Sequence, residues 1–457
     1  MKILLKCPTR SRPKQVIETL RKYVELANKP ELLGIAVSSD NDDASMHDMN
    51  VDYHLRRLPV AWVRIFFGDN KSKIEAVNAD MDKITWDWDI VLLVSDDMIP
   101  QVKGYDDIIR SKMTPDRDRI IWVNDGTQGY KLNTLTIMGK VMYESFGYIY
   151  HPSYKSLFCD TEFSDLCKGS LASKCSYIEQ NLIRHEHPTT TYKEWDTLYI
   201  TNQKYFNTDL KNYISRKTYE YDWSILIPTL IERSATFNGL MDRLTEKQQR
   251  ICPDLKIEFC VSCDNREKSI GLKRQELLQC AKGKYLSFID DDDDVTDAYF
   301  EDAIQCIKDG FDTCRLRGQM SQYTFTHSIE NRLDTPLARG EEFLRPPNHL
   351  NIMLADMAKL VPFGNAKQGE DLDWTIRLAR MQFIKTEYTS DPSRIHYIYQ
   401  LGNRKVDPSS LEFQKTASYE KMLQMVWTPA GPMLPSEIPK QSKKNGIKLT
   451  SRGFVSK

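Results

Sequence analysis

The chain lacks a long apolar run and an excess of either charge. It has 457 residues, with 63 Lys+Arg against 64 Asp+Glu and a formal net charge of -1. This balance argues against a globally basic nucleic-acid-binding protein and against an acidic tail protein, but leaves room for a local charged patch. No apolar run approaches the ~20 residues that cross a bilayer. The apolar stretch before Lys6 is too short for the core of a signal peptide, so we expect no membrane span.

The chain also lacks a framework of spaced cysteines. Its 10 cysteines are spread over the whole length, which favours reduced thiols in a cytoplasmic protein. Cys260 and Cys263 form a C-x-x-C pair, but no second ligand pair accompanies them. We therefore interpret them as core cysteines rather than as a zinc site.

The length predicts two or three domains, and an internal repeat indicates how the chain is divided. Five features recur in the same order in both halves. They are Pro8-Thr9 and Pro228-Thr229 after an apolar run, Asp40 and Asp264 after Val-Ser-x, the acids at 96–97 and 290–294, the acids at 160–165 and 370–373, and the histidines at 185–187 and 396. We predict two diverged copies of one domain at 1–205 and 222–437, joined by a polar linker at 206–221 and followed by a basic tail at 438–457.

Each copy alternates strand-length apolar runs with longer amphipathic segments, such as 14–24 and 270–281. This alternation predicts an α/β domain with a mostly parallel sheet. Ligands of such sheets gather beyond the carboxyl ends of the strands, where the conspicuous acids of this chain lie.

The acids that follow apolar runs predict a site for a divalent cation and a diphosphate. Asp290, Asp291 and Asp292 follow one run, and Asp96 and Asp97 occupy the matching place in the first half. Mg²⁺ and Mn²⁺ prefer oxygen ligands and are often held by one or two carboxylates plus the phosphates of a substrate. A solvated acidic turn is the alternative for a single run, and the repetition favours the metal.

Histidines follow the second acidic segment in each half. Imidazole can complete a Mn²⁺ shell, so His185, His187 and His396 are candidate metal ligands. A hydrogen-bonded structural histidine is the alternative, and the residues alone leave the two open.

Four carboxylates are candidates for proton transfer. Glu370 and Asp371 in the second half, and Glu162 and Asp165 in the first, could take a proton from an attacking hydroxyl. Capping of a helix N-terminus is the alternative, since acids there favour the helix dipole.

A donor nucleotide would need hydrogen-bond acceptors and cations. Asp40 and Asp264 are placed to accept hydrogen bonds from a nucleobase or ribose, and arginines can contact phosphate. The candidate cations are Arg10, Arg12, Lys73, Arg233 and Arg274. Each of them alone would be interpreted as surface charge.

The second half resembles the family 2, GT-A-fold glycosyltransferases. The resemblance rests on residues 224–229, 262–264, 283–292 and 369–371, together with His396. It implies a nucleotide-diphosphate-sugar donor, with a UDP-sugar expected. Asp264 would contact the nucleobase, and Asp290 and Asp292 would contact the ribose and the metal. The implied reaction is an inverting displacement in which Asp371 is the catalytic base. The family often has Ala-Arg-Asn where this chain has Lys-Arg-Gln at 273–275, so only Arg274 is carried over.

The first half resembles a glycosyltransferase-like domain of tailed bacteriophages. The matching pieces are residues 5–12, 67–73, 94–100, 122–126 and 184–188. This resemblance implies that Asp97 binds metal, and that Asp125 and either Glu162 or Asp165 face the sugar or the acceptor.

We therefore expect a Mn²⁺- or Mg²⁺-dependent glycosyltransferase with two tandem GT-A domains. The acceptor is expected to be a hydroxymethylated base in DNA, reached through the basic tail, or else a surface glycan such as lipopolysaccharide. Nucleotidyl transfer is a competing class of reaction. A nucleotidyltransferase is expected to have a glycine-rich phosphate loop near the N-terminus, and residues 6–10 contain no glycine. A further alternative is that one domain or both only bind a sugar or an acceptor, a function that needs no catalytic base at Asp371.

Overall fold

The computed structural model describes residues 1–69, 72–186, 202–332, 338–339 and 342–400, and the backbone of four short strands beyond residue 425. The chain divides into two compact units, Met1–Lys217 and Thr218–Lys457. Each unit is built on a mixed sheet in which most neighbouring strands are parallel. The predicted fold class, α/β with two tandem mostly parallel sheets, is confirmed.

The first unit contains a seven-stranded sheet in the order β3-β2-β1-β4-β7-β6-β8 and a separate pair, β5 with β9. Its strands are β1 (Ile3–Pro8), β2 (Leu33–Asp40), β3 (Trp62–Gly68), β4 (Ile90–Leu93), β5 (Met98–Pro100), β6 (Ile120–Asn124), β7 (Ile137–Gly139), β8 (Cys175–Asn181) and β9 (Ile183–His185). Its helices are α1 (Pro13–Leu26), α2 (Met49–Arg56), α3 (Lys73–Asn78), α4 (Tyr105–Lys112), α5 (Lys140–Phe146), α6 (Cys159–Lys168) and α7 (Phe206–Arg216).

The second unit contains a six-stranded sheet in the order β11-β10-β12-β19-β14-β20 and a second six-stranded sheet in the order β13-β21-β15-β16-β18-β17. Its strands are β10 (Tyr221–Leu230), β11 (Ile257–Asp264), β12 (Gly283–Phe288), β13 (Asp294–Val295), β14 (Thr313–Cys314), β15 (Leu316–Met320), β16 (Tyr323–His327), β17 (Ala338–Arg339), β18 (Glu342–Arg345), β19 (Met353–Leu354), β20 (Glu387–Tyr388) and β21 (Tyr397–Ile398). Its helices are α8 (Ser234–Ile251), α9 (Ile270–Cys280), α10 (Asp297–Asp309), α11 (Ala355–Ala358) and α12 (Glu370–Met381).

The main sheets of the two units have the same order and the same strand directions. In the first, β1 is parallel to β2 and β4, β7 runs antiparallel to β4 and β6, and β6 is parallel to β8. In the second, β10 is parallel to β11 and β12, β19 runs antiparallel to β12 and β14, and β14 is parallel to β20. The strand pair β5–β9 likewise matches β13–β21. The internal repeat of the sequence is therefore also a repeat of topology, to which the first unit adds the edge strand β3.

The buried strands explain why the sheets form where they do. Ile3, Leu5 and Cys7 of β1 belong to one apolar cluster with Leu92 of β4 and Leu20 of α1, and all five are fully buried. Continuous runs of apolar residues are typical of parallel strands that are covered on both faces. Helix α1 starts with Pro13 at its first position, where the missing N–H costs no hydrogen bond.

The segment 206–221, predicted as a linker, contains helix α7 and the start of β10. Asp209 of α7 accepts backbone N–H groups of Lys155, Ser156 and Leu157 at 2.9, 2.7 and 2.8 Å, which anchors the helix within the first unit. Beyond residue 425 the described strands are β22 (Val426–Thr428), β23 (Gly431–Met433), β24 (Lys448–Thr450) and β25 (Gly453–Val455). The side chains of the predicted tail 438–457 lie outside the described residues. Among the described helices, none is long and apolar enough to span a membrane.

Candidate active sites

Each unit gathers its candidate residues at the carboxyl ends of three neighbouring parallel strands. In the first unit, Thr9 follows β1, Asp40 ends β2, and Asp96 and Asp97 follow β4 after two intervening residues. In the second, Thr229 lies near the end of β10, Asp264 ends β11, and Asp290 to Asp292 follow β12 after Ile289. Because parallel strands of one sheet end at the same edge, each unit has one candidate site.

Two buried polar atoms of the first unit lack a protein partner at this edge. Asp40 Oδ1 and Thr9 Oγ1 are buried and have no hydrogen-bond partner among the described residues. Pro8 pairs with Ser38 in the parallel ladder, so Thr9 and Asp40 follow paired positions of adjacent strands. Buried polar atoms are nearly always satisfied, so this pair fits a ligand that offers hydrogen-bonding groups.

Arginines already neutralise part of the acidic edge in the first unit. Arg10 is hydrogen-bonded to Asp40 and, at 2.7 and 2.8 Å, to Asp42, whose pKa it lowers. Arg12 Nη1 donates to Asp96 Oδ1 at 2.9 Å, and both side chains are largely buried. Both arginines therefore stand at the predicted donor edge, as counter-charges to its carboxylates.

Asp97 and His185 come together through the pairing of β5 with β9. Met98 pairs with His185, and the Glu186 N–H donates to the Asp97 carbonyl at 2.8 Å. His185 Nε2 lies 3.6 Å from Asp97 Oδ2, and His185 Nδ1 lies 3.9 Å from Asp125 Oδ2. The structure thus unites the predicted metal ligands Asp97 and His185, while His187 lies outside the described residues.

Asp125 organises a loop. Its carboxylate accepts backbone N–H groups of Thr127, Gln128 and Gly129 at 2.9, 2.7 and 3.3 Å. It also accepts the hydroxyls of Thr127 and Thr134 at 2.9 and 2.8 Å. Although burial raises the pKa of this carboxyl, these hydrogen bonds outweigh it and lower the pKa. The carboxylate predicted to contact the donor is instead engaged in shaping residues 125–134.

A third acid of α6 is Asp160, the second residue of the helix. Burial raises its pKa, while the charges of Lys73 and His185 act to lower it, which puts this carboxyl within electrostatic reach of two candidate residues of the first site. Glu162 instead accepts from Arg216 Nη2 at 2.7 Å and from the Tyr154 hydroxyl, and Asp165 accepts from the Tyr213 hydroxyl at 2.6 Å. Glu162 and Asp165, predicted as catalytic, therefore hold α7 against α6.

Asp160 is the structural counterpart of Asp371. Each is the second residue of its helix, α6 or α12. Each helix follows a residue in the left-handed region, Phe158 at φ 62° and Gly369 at φ 74°. Because Phe158 stands where the second unit has Gly369, the sequence does not show this turn, and comparison of the acids alone led to Glu162 and Asp165.

In the second unit, every member of the acidic run has a partner within the protein. Asp291 accepts from Thr229 Oγ1 and Arg233 Nη1, both at 2.7 Å, and Arg233 Nη1 also donates to Asp292 at 2.9 Å. Asp293 accepts from the Tyr397 hydroxyl at 2.8 Å, Asp294 pairs with Arg243 at 2.8 Å, and Asp290 binds Arg274. The run is therefore an organised site rather than a solvated turn. Asp292 is the most water-accessible of the paired acids, with 48% of its side chain exposed.

Arg274 joins the acidic run to the start of α12. Its Nη2 donates to both oxygens of Asp290 at 2.9 and 3.1 Å, and its Nη1 donates to Glu370 Oε1 at 2.8 Å. Burial raises the pKa of Glu370, and the charge of Asp371 adds to that effect. Glu370 is thus committed to Arg274, and Asp371 lies half-buried at the same helix end.

The other predicted donor contacts of the second unit differ from those of the first. Asp264 forms a salt bridge with Lys273, a buried lysine that also donates to the Thr229 carbonyl at 2.6 Å. Pro228 pairs with Ser262, which places Thr229 and Asp264 at the same edge. Lys273, where this chain departs from the family pattern, is by its position on α9 the counter-charge of Asp264.

His396 has both ring nitrogens occupied. Its Nδ1 accepts the Arg317 N–H at 3.0 Å, and its Nε2 lies 2.8 Å from Asp302 Oδ2. It immediately precedes β21 and supports the strand pair that carries Asp294. The hydrogen-bonded alternative therefore describes this histidine, and it is not presented as a metal ligand.

The donor set fits a metal that is shared with a substrate. In the part of the chain that the structure describes, no three His, Cys, Asp or Glu side chains are arranged to hold an ion. Asp292 in one unit and Asp97 with His185 in the other provide one or two ligands each. That number is typical of Mg²⁺ and Mn²⁺ sites completed by phosphate oxygens.

The sequence matches no protein-family model and no curated protein. Among solved structures, it is similar to S. aureus TarS, at 14% identity over 44% of this chain and 71% of that one, with a TM-score of 0.30. It is similar to the mannosyltransferase PcManGT of Pyrobaculum calidifontis in complex with GDP-Man and Mn²⁺, at 11% identity over 47% and 63%, with a TM-score of 0.34. It is also similar to the glycosyltransferase GlyE of Streptococcus pneumoniae TIGR4, at 11% identity over 61% and 82%, with a TM-score of 0.29. Since all three TM-scores are below 0.5, we base the proposed function on this chain's own residues.

Proposed function

We propose that the chain is a glycosyltransferase of GT-A type with a nucleotide-sugar site in each unit. The observation that carries the proposal is the repetition of one chemical arrangement on one topology. Each unit places a Thr at or just beyond the end of one strand, an Asp at the end of the parallel neighbour on one side, acids beyond the parallel neighbour on the other side and a carboxylate at the second position of a helix. A structural role alone gives no reason for both copies to retain all four.

The donor nucleotide is proposed to lie along the first two strands of each sheet. Asp40 Oδ1 and Thr9 Oγ1 have no hydrogen-bond partner in the described part of the chain, which supports contacts to a nucleobase and ribose in the first unit. In the second unit Asp264 and Thr229 hold the equivalent positions. Arg233 and Arg12 lie between these strands and the acids, where a diphosphate would need positive charge.

A divalent cation, when bound, would neutralise charge on the leaving diphosphate. Asp292 in the second unit, and Asp97 with His185 in the first, would hold it. In the second unit, burial and the charges of Asp291 and Asp290 raise the pKa of Asp292, because like charges are crowded there. A counter-cation would relieve this crowding.

Proton transfer is assigned to the carboxylate at the second position of each helix. In the second unit, Asp371 would take the proton of the acceptor hydroxyl as its oxygen bonds to the anomeric carbon. The bond from that carbon to the diphosphate breaks in the same step, and its electron pair leaves with the phosphate oxygen. This is an in-line displacement that inverts the anomeric centre. Asp160 would have the same role in the first unit, whose stereochemistry we leave unassigned.

The acceptor is proposed to be a hydroxyl group. The resemblance of the first half to bacteriophage domains suggested a modified base in DNA, with a glycan as the rival. The exposed aromatic stack of Trp122, Tyr130 and Tyr177 in the first unit favours the glycan.

The test is turnover of nucleotide sugars by the full chain. UDP- and GDP-sugars are incubated with the protein and Mn²⁺, and release of the nucleotide is followed with mass spectrometry of products. We expect turnover with one of these donors. To isolate the second site, Asp292→Ala and Asp371→Asn are made in an Asp160→Asn background, and each is expected to abolish the remaining turnover.

The matched control is Asp294→Asn in the same background. Asp294 belongs to the same acidic run but pairs with Arg243, so turnover should persist. No turnover of any nucleotide sugar by the wild-type chain would refute the proposed function. Unchanged rates in both site variants would refute the assignment of the second site.

A further inference from the structure

The first unit carries a stack of aromatic rings beside its candidate site. Trp122 of β6 and Tyr130 lie nearly parallel, with ring centroids 4.8 Å apart and an interplanar angle of 18°. Tyr177 of β8 meets both rings edge-on, at 5.9 and 5.0 Å. The Trp122 indole N–H donates to the Gly129 carbonyl at 3.1 Å. The stack is therefore fixed to two adjacent strands and to the loop after β6.

Tyr130 is the solvent-exposed ring of this stack. Trp122 is fully buried, but 56% of Tyr130 is exposed, although its ring is held against the indole. The loop that carries Tyr130 is anchored by the five hydrogen bonds to Asp125 described above. A rigid, flat and exposed ring can bind a ligand without the cost of ordering a flexible side chain.

The stack is continuous with the candidate site through Asp125. The residue that anchors the Tyr130 loop lies 3.9 Å from His185, which is 3.6 Å from Asp97. Burial raises the pKa of Tyr177, and the charges of Glu179 and of Asp125 add to that effect, so the edge-on ring of the stack lies within the electrostatic reach of Asp125. A molecule seated on Tyr130 would thus lie beside the proposed sugar-transfer site.

The charges of this unit fit an uncharged ligand. Residues 1–217 contain 30 Lys+Arg and 30 Asp+Glu, without the basic excess that marks a nucleic-acid-binding domain. Lys168 is next to the stack, but its ammonium donates to the Lys131 carbonyl at 2.8 Å and lies 5.4 and 5.8 Å from the Trp122 and Tyr130 ring centroids. This cation is engaged with the stack itself. A neutral saccharide, which has an apolar C–H face and a rim of hydroxyls, matches such a surface.

We infer that the stack of Trp122, Tyr130 and Tyr177 binds the acceptor of the first unit, and that this acceptor is a neutral glycan whose pyranose ring lies on Tyr130. The inference rests on the proposed function, because it assigns the acceptor side of the same site. It also predicts that the ring matters more than the phenolic hydroxyl, since the contact is made by the face of the ring.

The test compares four forms of the full chain on a printed array of neutral saccharides, anionic saccharides and single-stranded DNA. The forms are wild type, Tyr130→Ala, Tyr130→Phe and the control Tyr53→Ala. Tyr53 is 54% exposed on α2, so the control removes an equally exposed tyrosine ring of the same unit. Nucleotide-sugar turnover without acceptor is measured in the same samples.

We expect wild type to bind neutral saccharides, and Tyr130→Ala to bind them about tenfold more weakly, the scale of one ring contact. Tyr130→Phe and Tyr53→Ala should bind as wild type does. Equal binding by Tyr130→Ala, binding of DNA or anionic saccharides alone, or no binding to any neutral saccharide would overturn the inference. If the inference is overturned but the wild-type chain still turns over a nucleotide sugar, the proposed function stands. If the wild-type chain turns over no nucleotide sugar, the proposed function is refuted separately.

Discussion

The sharpest prediction distinguishes two carboxylates that lie two positions apart on α6. Asp160 is within electrostatic reach of Lys73 and His185, whereas Glu162 pairs with Arg216 and Tyr154. We consider Asp160→Asn and Glu162→Gln, each in an Asp371→Asn background so that only the first site can turn over. Both substitutions keep the shape of the side chain and remove its charge.

The structure predicts opposite effects on activity and stability. Loss of a general base costs about 10²- to 10⁴-fold in rate, so Asp160→Asn should lose turnover. Its stability should be unchanged or higher, because burial raises the pKa of Asp160 and thus makes the ionised form costly at neutral pH. Glu162→Gln breaks a pair whose side chains are 17% and 30% exposed, which should cost about 1 kcal/mol of unfolding free energy. Its turnover should remain within about twofold of the background, since no reacting group is removed.

The assay combines initial rates of nucleotide release with urea unfolding of the same preparations. Glu162→Gln is the matched control, because it removes a neighbouring carboxylate of the same helix. A larger loss of rate in Glu162→Gln than in Asp160→Asn would refute the assignment and restore the original candidate.

Three further predictions concern stability, pH and metal binding. Arg274→Met should destabilise the second unit by about 3 kcal/mol in urea unfolding, because it leaves the buried carboxylate of Glu370 and the partly buried carboxylate of Asp290 without their cation. Arg266→Met, which breaks an exposed pair, should cost less than about 1 kcal/mol. Burial lowers the pKa of Lys6 to about 8, so between that value and its ordinary 10.5 the unfolded chain holds more protons at this residue. The contribution of Lys6 to the unfolding free energy should therefore rise with pH, by about 3 kcal/mol in total, and urea unfolding of wild type and Lys6→Met over this pH range should differ by that rise. Mn²⁺ alone should bind weakly in calorimetric titrations and tightly once UDP or GDP is present, because neither site presents three protein ligands among the described residues. Tight binding of Mn²⁺ without nucleotide, or turnover that EDTA does not reduce, would contradict a metal shared with the substrate.

The features that could be predicted from the sequence are those that depend on strand ends. Residues such as Asp264 and Asp290 follow apolar runs, and the ends of parallel strands converge whatever the loops do. The same order in both halves predicted two α/β domains, and the shared sheet order confirms that fold. The helices predicted at 14–24 and 270–281 are also present, as α1 and α9.

The roles that sequence did not reveal depend on helix phase and on distant partners. Asp160 and Glu162 are two residues apart, so they point about 200° apart around the helix, and only the turn before α6 determines which one faces the site. His396 binds Asp302, 94 residues away, which no local pattern indicates. The resemblance of the first half to bacteriophage domains implied that Asp125 faces the sugar or the acceptor, but the shape of its own loop brings five donors to its carboxylate.

The central claim is that one chain contains two nucleotide-sugar sites, and the stoichiometry of nucleotide binding tests it most directly. The full chain is titrated calorimetrically with UDP and with GDP in the presence of Mn²⁺. Two sites per chain are expected in total, either both for one nucleotide or one for each. Variants Asp40→Asn and Asp264→Asn should each reduce the total to one, since each removes the base contact of a different unit. A total of one in wild type would leave a single competent unit, and no binding of either nucleotide would contradict the account as a whole.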